Sequence, residues 1–157
     1  MPRFTVLCLI LGCVPMFAQS TDEKAATATV QKLFDAMAAH DSDAARAVLI
    51  ADGRIVAVRE NGAVSNSTQE QFAARLSTIK EPIIERMWQP KVLVQGRLAQ
   101  VWAEYDFWRS GKFSHCGIDS VSLVKTEEGW KISGISYSML TTTCSPSPLG
   151  PPATSPQ

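Results

Sequence analysis

Between Asp22 and His40, apolar side chains fall at Ala26, Val30, Leu33, Phe34, Met37 and Ala38. That spacing gathers one stripe on a helix, and Asp22 and Glu23 stand at its start, where the helix dipole favours negative charge. Asp41 is placed to cap a shorter helix over Ser42 to Ile50, with Ala44, Val48 and Leu49 on one side and Asp52-Gly53 ending it. From Arg54 to Glu60 the pattern changes to alternation, Ile55, Ala57 and Arg59 against Val56 and Val58, which predicts a strand closed by the Asn61-Gly62 turn. Thr68 and Gln71 form a capping box for a third helix carrying Phe72, Leu76 and Ile79, and Pro82 must follow that helix rather than join it.

The rest reads as a long antiparallel meander. Ile83 to Gln95, Arg97 to Arg109, Lys112 to Thr126 and Trp130 to Leu140 are rich in Val, Ile, Trp, Tyr and Phe, and Gly96, Ser110-Gly111 and Glu128-Gly129 separate them. Pro90 lacks the amide hydrogen of a ladder, so the first of these strands should lie at an edge or carry a bulge. Helices first and a sheet afterwards predict an α+β domain.

Length and composition narrow the function. A chain of 157 residues with 45% hydrophobic side chains makes one well-cored domain and leaves no room for two. Fifteen basic residues balance fifteen acidic ones, with no basic stripe, which argues against a nucleic-acid partner. Arg3, the apolar run Phe4 to Leu11, then Gly12, Pro15 and Ala18 follow the three-part pattern of a secretory signal over residues 1–18, too short for a permanent membrane span. The mature protein is then periplasmic or secreted and not membrane-bound. Ile10, Leu11 and Gly12 before Cys13 loosely match a lipid-attachment signal, the alternative at this end. Residues 19–142 form the expected domain. Prolines 146, 148, 151, 152 and 156, set among Ser, Thr and Gly, make residues 143–157 a predicted disordered tail.

The hairpins set a register. With Ser110-Gly111 as a two-residue turn, Trp108 faces Phe113, Asp106 faces His115, Glu104 faces Gly117 and Trp102 faces Asp119. With Glu128-Gly129 as the next turn, Leu123 faces Gly134, Val121 faces Ser136 and Asp119 faces Ser138. One sheet face then collects Glu104, Asp106, His115 and Asp119 among Trp102, Trp108, Phe113, Val121, Leu123 and Ile132. The other, more apolar face holds Val101, Ala103, Tyr105, Phe107, Cys116, Ile118, Ile135, Tyr137 and Met139 among others. Two readings of the mixed face stand: a solvated outer surface, or an aromatic-walled pocket around a few polar groups.

The segments Tyr105-Asp106-Phe107-Trp108, Gly111-Lys112-Phe113-Ser114-His115-Cys116-Gly117 and Gly129-Trp130-Lys131-Ile132, behind an export signal and three helices, resemble a known group. The chain is similar to the nuclear-transport-factor-two-like, or SnoaL-like, superfamily and, within it, to the lumazine-binding-like family of exported bacterial proteins. The resemblance covers about Glu23 to Leu140. It implies a strongly curved antiparallel sheet wrapped around the helices into a cone-shaped α+β barrel, a pocket at one end, and a homodimer through the sheet. Positions matching Val121 and Leu123 face the pocket in related assembly domains, which by analogy turns His115 and Asp119 inward too. The superfamily holds isomerases, dehydratases, hydrolases and noncatalytic modules, so the fold does not choose a chemistry.

The residues leave three functions open. The first is a noncatalytic or weakly catalytic domain that binds a flat, mostly uncharged heterocycle among Trp102, Glu104, Trp108, Asp119 and Val121. The second is an isomerase- or dehydratase-type enzyme with His115 as acid or base, oriented by Asp106. The third is an interaction module using the aromatic face. His115 and Cys116 are adjacent on a strand and point to opposite faces, so they form no nucleophilic dyad. No nucleophile elbow or phosphate-binding loop is present, two histidines make a poor metal set, and no cofactor or metal is expected. Cys116 and Cys144 are the cysteines left after the signal, and either a disulfide between them or two free thiols fits the register.

Overall fold

The structure, a computed structural model, describes residues 20–153. The expected export signal, with Cys8 and Cys13, lies outside the described residues. Three helices, α1 (Thr21–Ala38), α2 (Ser42–Val48) and α3 (Gln69–Leu76), accompany six strands: β1 (Leu49–Arg59), β2 (Val64–Thr68), β3 (Ile83–Gln95), β4 (Leu98–Arg109), β5 (Lys112–Thr126) and β6 (Gly129–Met139). Ser20 and Glu23 form a capping box on α1, and Thr68 and Gln71 form the expected one on α3.

The strands make one sheet in the order β2-β1-β6-β5-β4-β3. The meander from β3 to β6 is antiparallel, whereas β1 runs parallel to β6. The sheet is therefore mixed and open, not wholly antiparallel. After β2 the chain passes through α3 from one sheet edge to the other and meanders back until β6 meets β1. The buried stripe of α1, including Val30, Leu33, Phe34 and Met37, packs with Leu76 of α3 against inward residues of the sheet, among them Val101, Val121 and Ile135.

Four register breaks bend the sheet, one of them in β1 between Leu49 and Arg54 where it pairs with β6. Extra residues stand in β3 at Gln89-Pro90, in β5 at Ser114 and in β6 at Ser133, and each such bulge kinks its strand and increases its twist. Pro90 therefore sits at a bulge in an edge strand. The β6 bulge lets Ile132 and Ile135 both point into the core despite their odd spacing.

Several expected boundaries move. Helix α2 ends at Val48 and β1 begins at Leu49, so Asp52-Gly53 lies inside a strand rather than at a turn. Glycine is needed there because a Cβ on Gly53 would come within 2.6 Å of the Ser133 carbonyl oxygen and 2.7 Å of the Gln69 side chain. The last hairpin pairs Thr126 with Gly129, so its turn is Glu127-Glu128, and Gly129 takes the positive φ of 112°. The turn shifts the register by two and the extra residue Ser133 restores one, so Asp119 moves from opposite Ser138 to opposite Tyr137. Beyond β6, the carboxylate of Glu60 accepts hydrogen bonds from Thr141, Thr142 and Thr143, and Cys144 is joined to Cys116. The described part of the tail then crosses the outer face without helix or strand until Arg86 donates to the carbonyl of Gly150.

Candidate functional site

The bulge at Ser114 decides which side chains share a face. With one extra residue in β5, Phe107 rather than Asp106 stands opposite His115, Tyr105 opposite Gly117, Ala103 opposite Asp119 and Val101 opposite Val121. The register expected from an unbulged hairpin is thus off by one beyond Trp108 and Phe113. Its mixed face divides: His115, Asp119 and Val121 of β5 turn toward the helices, while Trp102, Glu104, Asp106 and Trp108 of β4 turn away. The inward β4 residues are Tyr105 and Phe107, from the face expected to be the more apolar.

Between the concave sheet and helices α1 and α3 lies a cavity of about 440 Å³. Val30, Leu33, Phe34 and Met37 of α1, Phe72 and Leu76 of α3, and Ile55, Val121 and Ile135 of the sheet give it an apolar wall. Into it project Glu85, Tyr105, Arg109, His115, Asp119 and Tyr137, with Ser65, Asn66, Ser67 and Arg75 on the β2 and α3 side. Inward-facing Gly117 has no Cβ, which would lie 2.0 Å from the Ser138 carbonyl oxygen. The Tyr105 hydroxyl donates to that same oxygen at 2.9 Å.

Glu85 and Asp119 are the chemical centre. Both line the chamber close enough to act on one another, and two adjoining buried carboxyl groups resist ionising together. Burial, then the Asp119 charge, raises the Glu85 carboxyl well above the usual carboxylate range, and burial pushes Asp119 up to about 7. Asp119 adds to the rise at Glu85 while Glu85 opposes the rise at Asp119, so the two titrate as a pair. Asp119 Oδ2 is buried with no hydrogen-bond partner, an acceptor open to any donor that enters. Burial raises both Tyr105 and Tyr137, which stay neutral donors beside the pair.

His115 is held neutral. Burial, followed by the charges of Arg109 and Arg59, lowers it to about 4. Its ring stacks on Phe107 at 4.8 Å between centroids and 22° between planes, and Ser114 Oγ lies 3.0 Å from Nδ1. This contact fixes the tautomer by its direction: a hydroxyl that donates to Nδ1 leaves the proton on Nε2, and one that accepts from Nδ1–H leaves Nε2 an acceptor.

The outward residues do other work. Asp106, 1% exposed, takes a bidentate pair from Arg86, through Nε at 2.9 Å and Nη2 at 2.5 Å, and so cannot orient His115. Trp108 meets Phe113 edge to face and lies 5.7 Å from the Arg86 guanidinium, Trp102 is half exposed, and Glu104 is exposed. Cys116 also faces outward, where Cys144 reaches it at 5.9 Å between α-carbons. Glu85, which the sequence reading missed, had a signal: Ile83, Glu85 and Met87 alternate, placing a lone carboxyl on a face otherwise apolar.

A curved sheet folded over helices around such a cavity defines a nuclear-transport-factor-two-like domain. The chain belongs to the family described as "Putative lumazine-binding", whose model matches residues 21–138. A superfamily protein of this type from Salmonella enterica is similar in structure at 16% identity and a TM-score of 0.63, over 81% of this chain and 96% of that one. So is a protein of Kribbella flavida, at 15% identity and a TM-score of 0.65, over 76% and 90% of the two chains. A Streptomyces avermitilis protein described as a "putative dehydratase" matches at 18% identity and a TM-score of 0.63, over 78% and 98%. At these identities the likeness is one of fold. No curated protein sequence matches the chain at a significant level. Among the described residues no helix is long and apolar enough to cross a membrane.

Proposed function

We propose that this protein is an exported domain that binds a flat, mostly uncharged ring compound bearing N–H or O–H donors in the cavity between its sheet and its helices. The observation that carries the reading is the carboxyl pair Glu85 and Asp119, set in an apolar chamber with Asp119 Oδ2 buried and unpartnered. An enclosed apolar space with a few converging polar groups is the usual form of a small-molecule site, and about 440 Å³ accommodates a two-ring heterocycle. Asp119 accepts from a ring N–H, and Nε2 of His115 suits a polar atom of the ring. The family description, with its reference to lumazine, supports a ligand of this shape and polarity. A Cys116–Cys144 bridge suits an oxidising compartment, and with the leader pattern in residues 1–18 it supports export.

Fluorescence titration with lumazine tests this. Saturable binding is expected, weakened about tenfold in Asp119→Leu and unchanged in Trp102→Ala, since loss of one charged hydrogen bond costs about that much. Equal binding by Asp119→Leu and the parent would refute the site.

Proton chemistry is the second reading, favoured by Asp119 lying near 7, where a carboxylate works well as a base at neutral pH. Here Asp119 would remove a proton from a bound ring substrate and Glu85 would share it, with no part for Asp106. Turnover of a cyclic ketone or alcohol that disappears in Asp119→Asn, while lumazine-type ligands still bind, would favour this reading over simple binding.

A further inference from the structure

We infer that the ligand of this cavity carries an acidic substituent, held by Arg75 at the β2 and α3 wall with Arg59 beside it. The inference rests on the binding reading above and adds the charge of the molecule bound. Arg75 lines the cavity next to Ser65, Asn66 and Ser67, and Arg59 lines an adjoining cleft that shares Met139 with it. Three guanidinium groups serve this region, and their pairing differs. Arg109 is neutralised by Glu81 at 2.5 Å, whereas among the described residues neither Arg59 nor Arg75 meets a carboxylate. The polar contact of Arg75 is with Ser67 Oγ at 3.4 Å, and that of Arg59 is with the Met139 sulfur at 3.5 Å.

The acids facing the cavity do not cancel these charges. Glu85 and Asp119, both raised by burial, stand on β3 and β5, beyond β1 and β6. Glu60, which shares the Arg59 cleft, has its carboxylate taken up by Thr141, Thr142 and Thr143. β2 is one edge strand and Glu85 lies on β3, the other edge, with β1, β6, β5 and β4 between. At about 4.8 Å per strand, β2 and the Asp119 strand β5 are three steps apart, about 14 Å along the sheet and less across its curve. A planar ring body with an acidic substituent lies along that interval, and the long Arg75 side chain reaches in from the β2 and α3 wall. One end then donates to Asp119 Oδ2 and the other presents its anion to Arg75, with the hydroxyls of Ser65 and Ser67 as further donors. Arg59 and Arg75 also act on the Tyr137 ring that lies between these ends, lowering its phenol against the rise caused by burial, as charges directed at the chamber should.

Two dyes of one skeleton separate this inference from the binding reading: neutral N-phenyl-1-naphthylamine and its anionic relative 1-anilinonaphthalene-8-sulfonate. With the intact protein, the sulfonate should bind about fivefold to tenfold tighter, a modest factor because the arginines are partly solvated. Arg75→Gln should bring the ratio of the two affinities to about one, while Trp102→Ala, on the outer face, changes neither affinity. Equal or tighter binding of the neutral dye overturns the acidic-ligand inference and leaves the cavity reading standing. Entry of neither dye overturns both.

Discussion

Phe107 and His115 stand directly opposite one another on β4 and β5 with their rings stacked at 4.8 Å, a pairing created by one extra residue, Ser114. That residue shifts the register and also supplies the hydroxyl beside His115 Nδ1. Ser114→Ala should leave the fold intact and free the imidazole to exchange tautomers. Nitrogen chemical shifts of His115 check this: the parent should show a single tautomer and the variant a mixture, and identical spectra would remove Ser114 from the role.

Acid acts on the buried pair and on the histidine in opposite senses. An unfolded imidazole takes its proton near 6.5 and His115 only near 4, so the unfolded state binds more protons in that interval and stability falls as pH falls. Asp119 is raised from 3.8 to about 7, so the folded state binds more protons and stability falls as pH rises. His115→Phe should therefore gain ~2 kcal/mol at pH 5 relative to its own effect at pH 8. Asp119→Asn should gain ~4 kcal/mol at pH 8 relative to its own effect below about pH 4. Urea melts at those pH values give both signs, and parallel pH curves for parent and variants would contradict the assignment.

Asp106 separates the two faces. Its carboxylate is buried against the half-buried Arg86 on the outer side, so Asp106→Ala leaves that guanidinium with only the Gly150 carbonyl and should destabilise the fold by ~2 kcal/mol. Ligand affinity under folding conditions should not change. A loss of affinity with unchanged melting would restore Asp106 to the site.

The Cys116–Cys144 bridge closes a loop of 28 residues and should contribute ~3 kcal/mol. Cys144→Ser should lose that much in urea unfolding, free the tail to proteases, and leave the cavity's ligand affinity alone, because Cys116 faces outward. An unchanged midpoint with and without reductant would show that the bridge adds no stability.

Much of this architecture is written locally. The stripe of α1, the Thr68 and Gln71 capping box, the Ser110-Gly111 turn and the break at Pro90 each depend on neighbours a few residues away, and each is where the sequence predicts it. What was not legible depends on distant partners. Val64–Thr68 has one strongly apolar residue and is an exposed edge strand, formed because β1 offers it a ladder. Asp52-Gly53 looks like a turn and is held in a strand by Ser133 and Gln69. The Ser114 bulge has no glycine to announce it, and it moved Asp106, Glu104, Trp102 and Trp108 out of the expected site while His115, Asp119 and Val121 stayed within it.

The parallel pairing of β1 with β6 governs when the fold can close. β6 is the last strand to leave the ribosome, yet β1 and β2 have no other place in the sheet. Strands β1 and β2 must therefore wait for their place in the sheet until Gly129–Met139 is present, and a chain cut short before Gly129 has no seat for them.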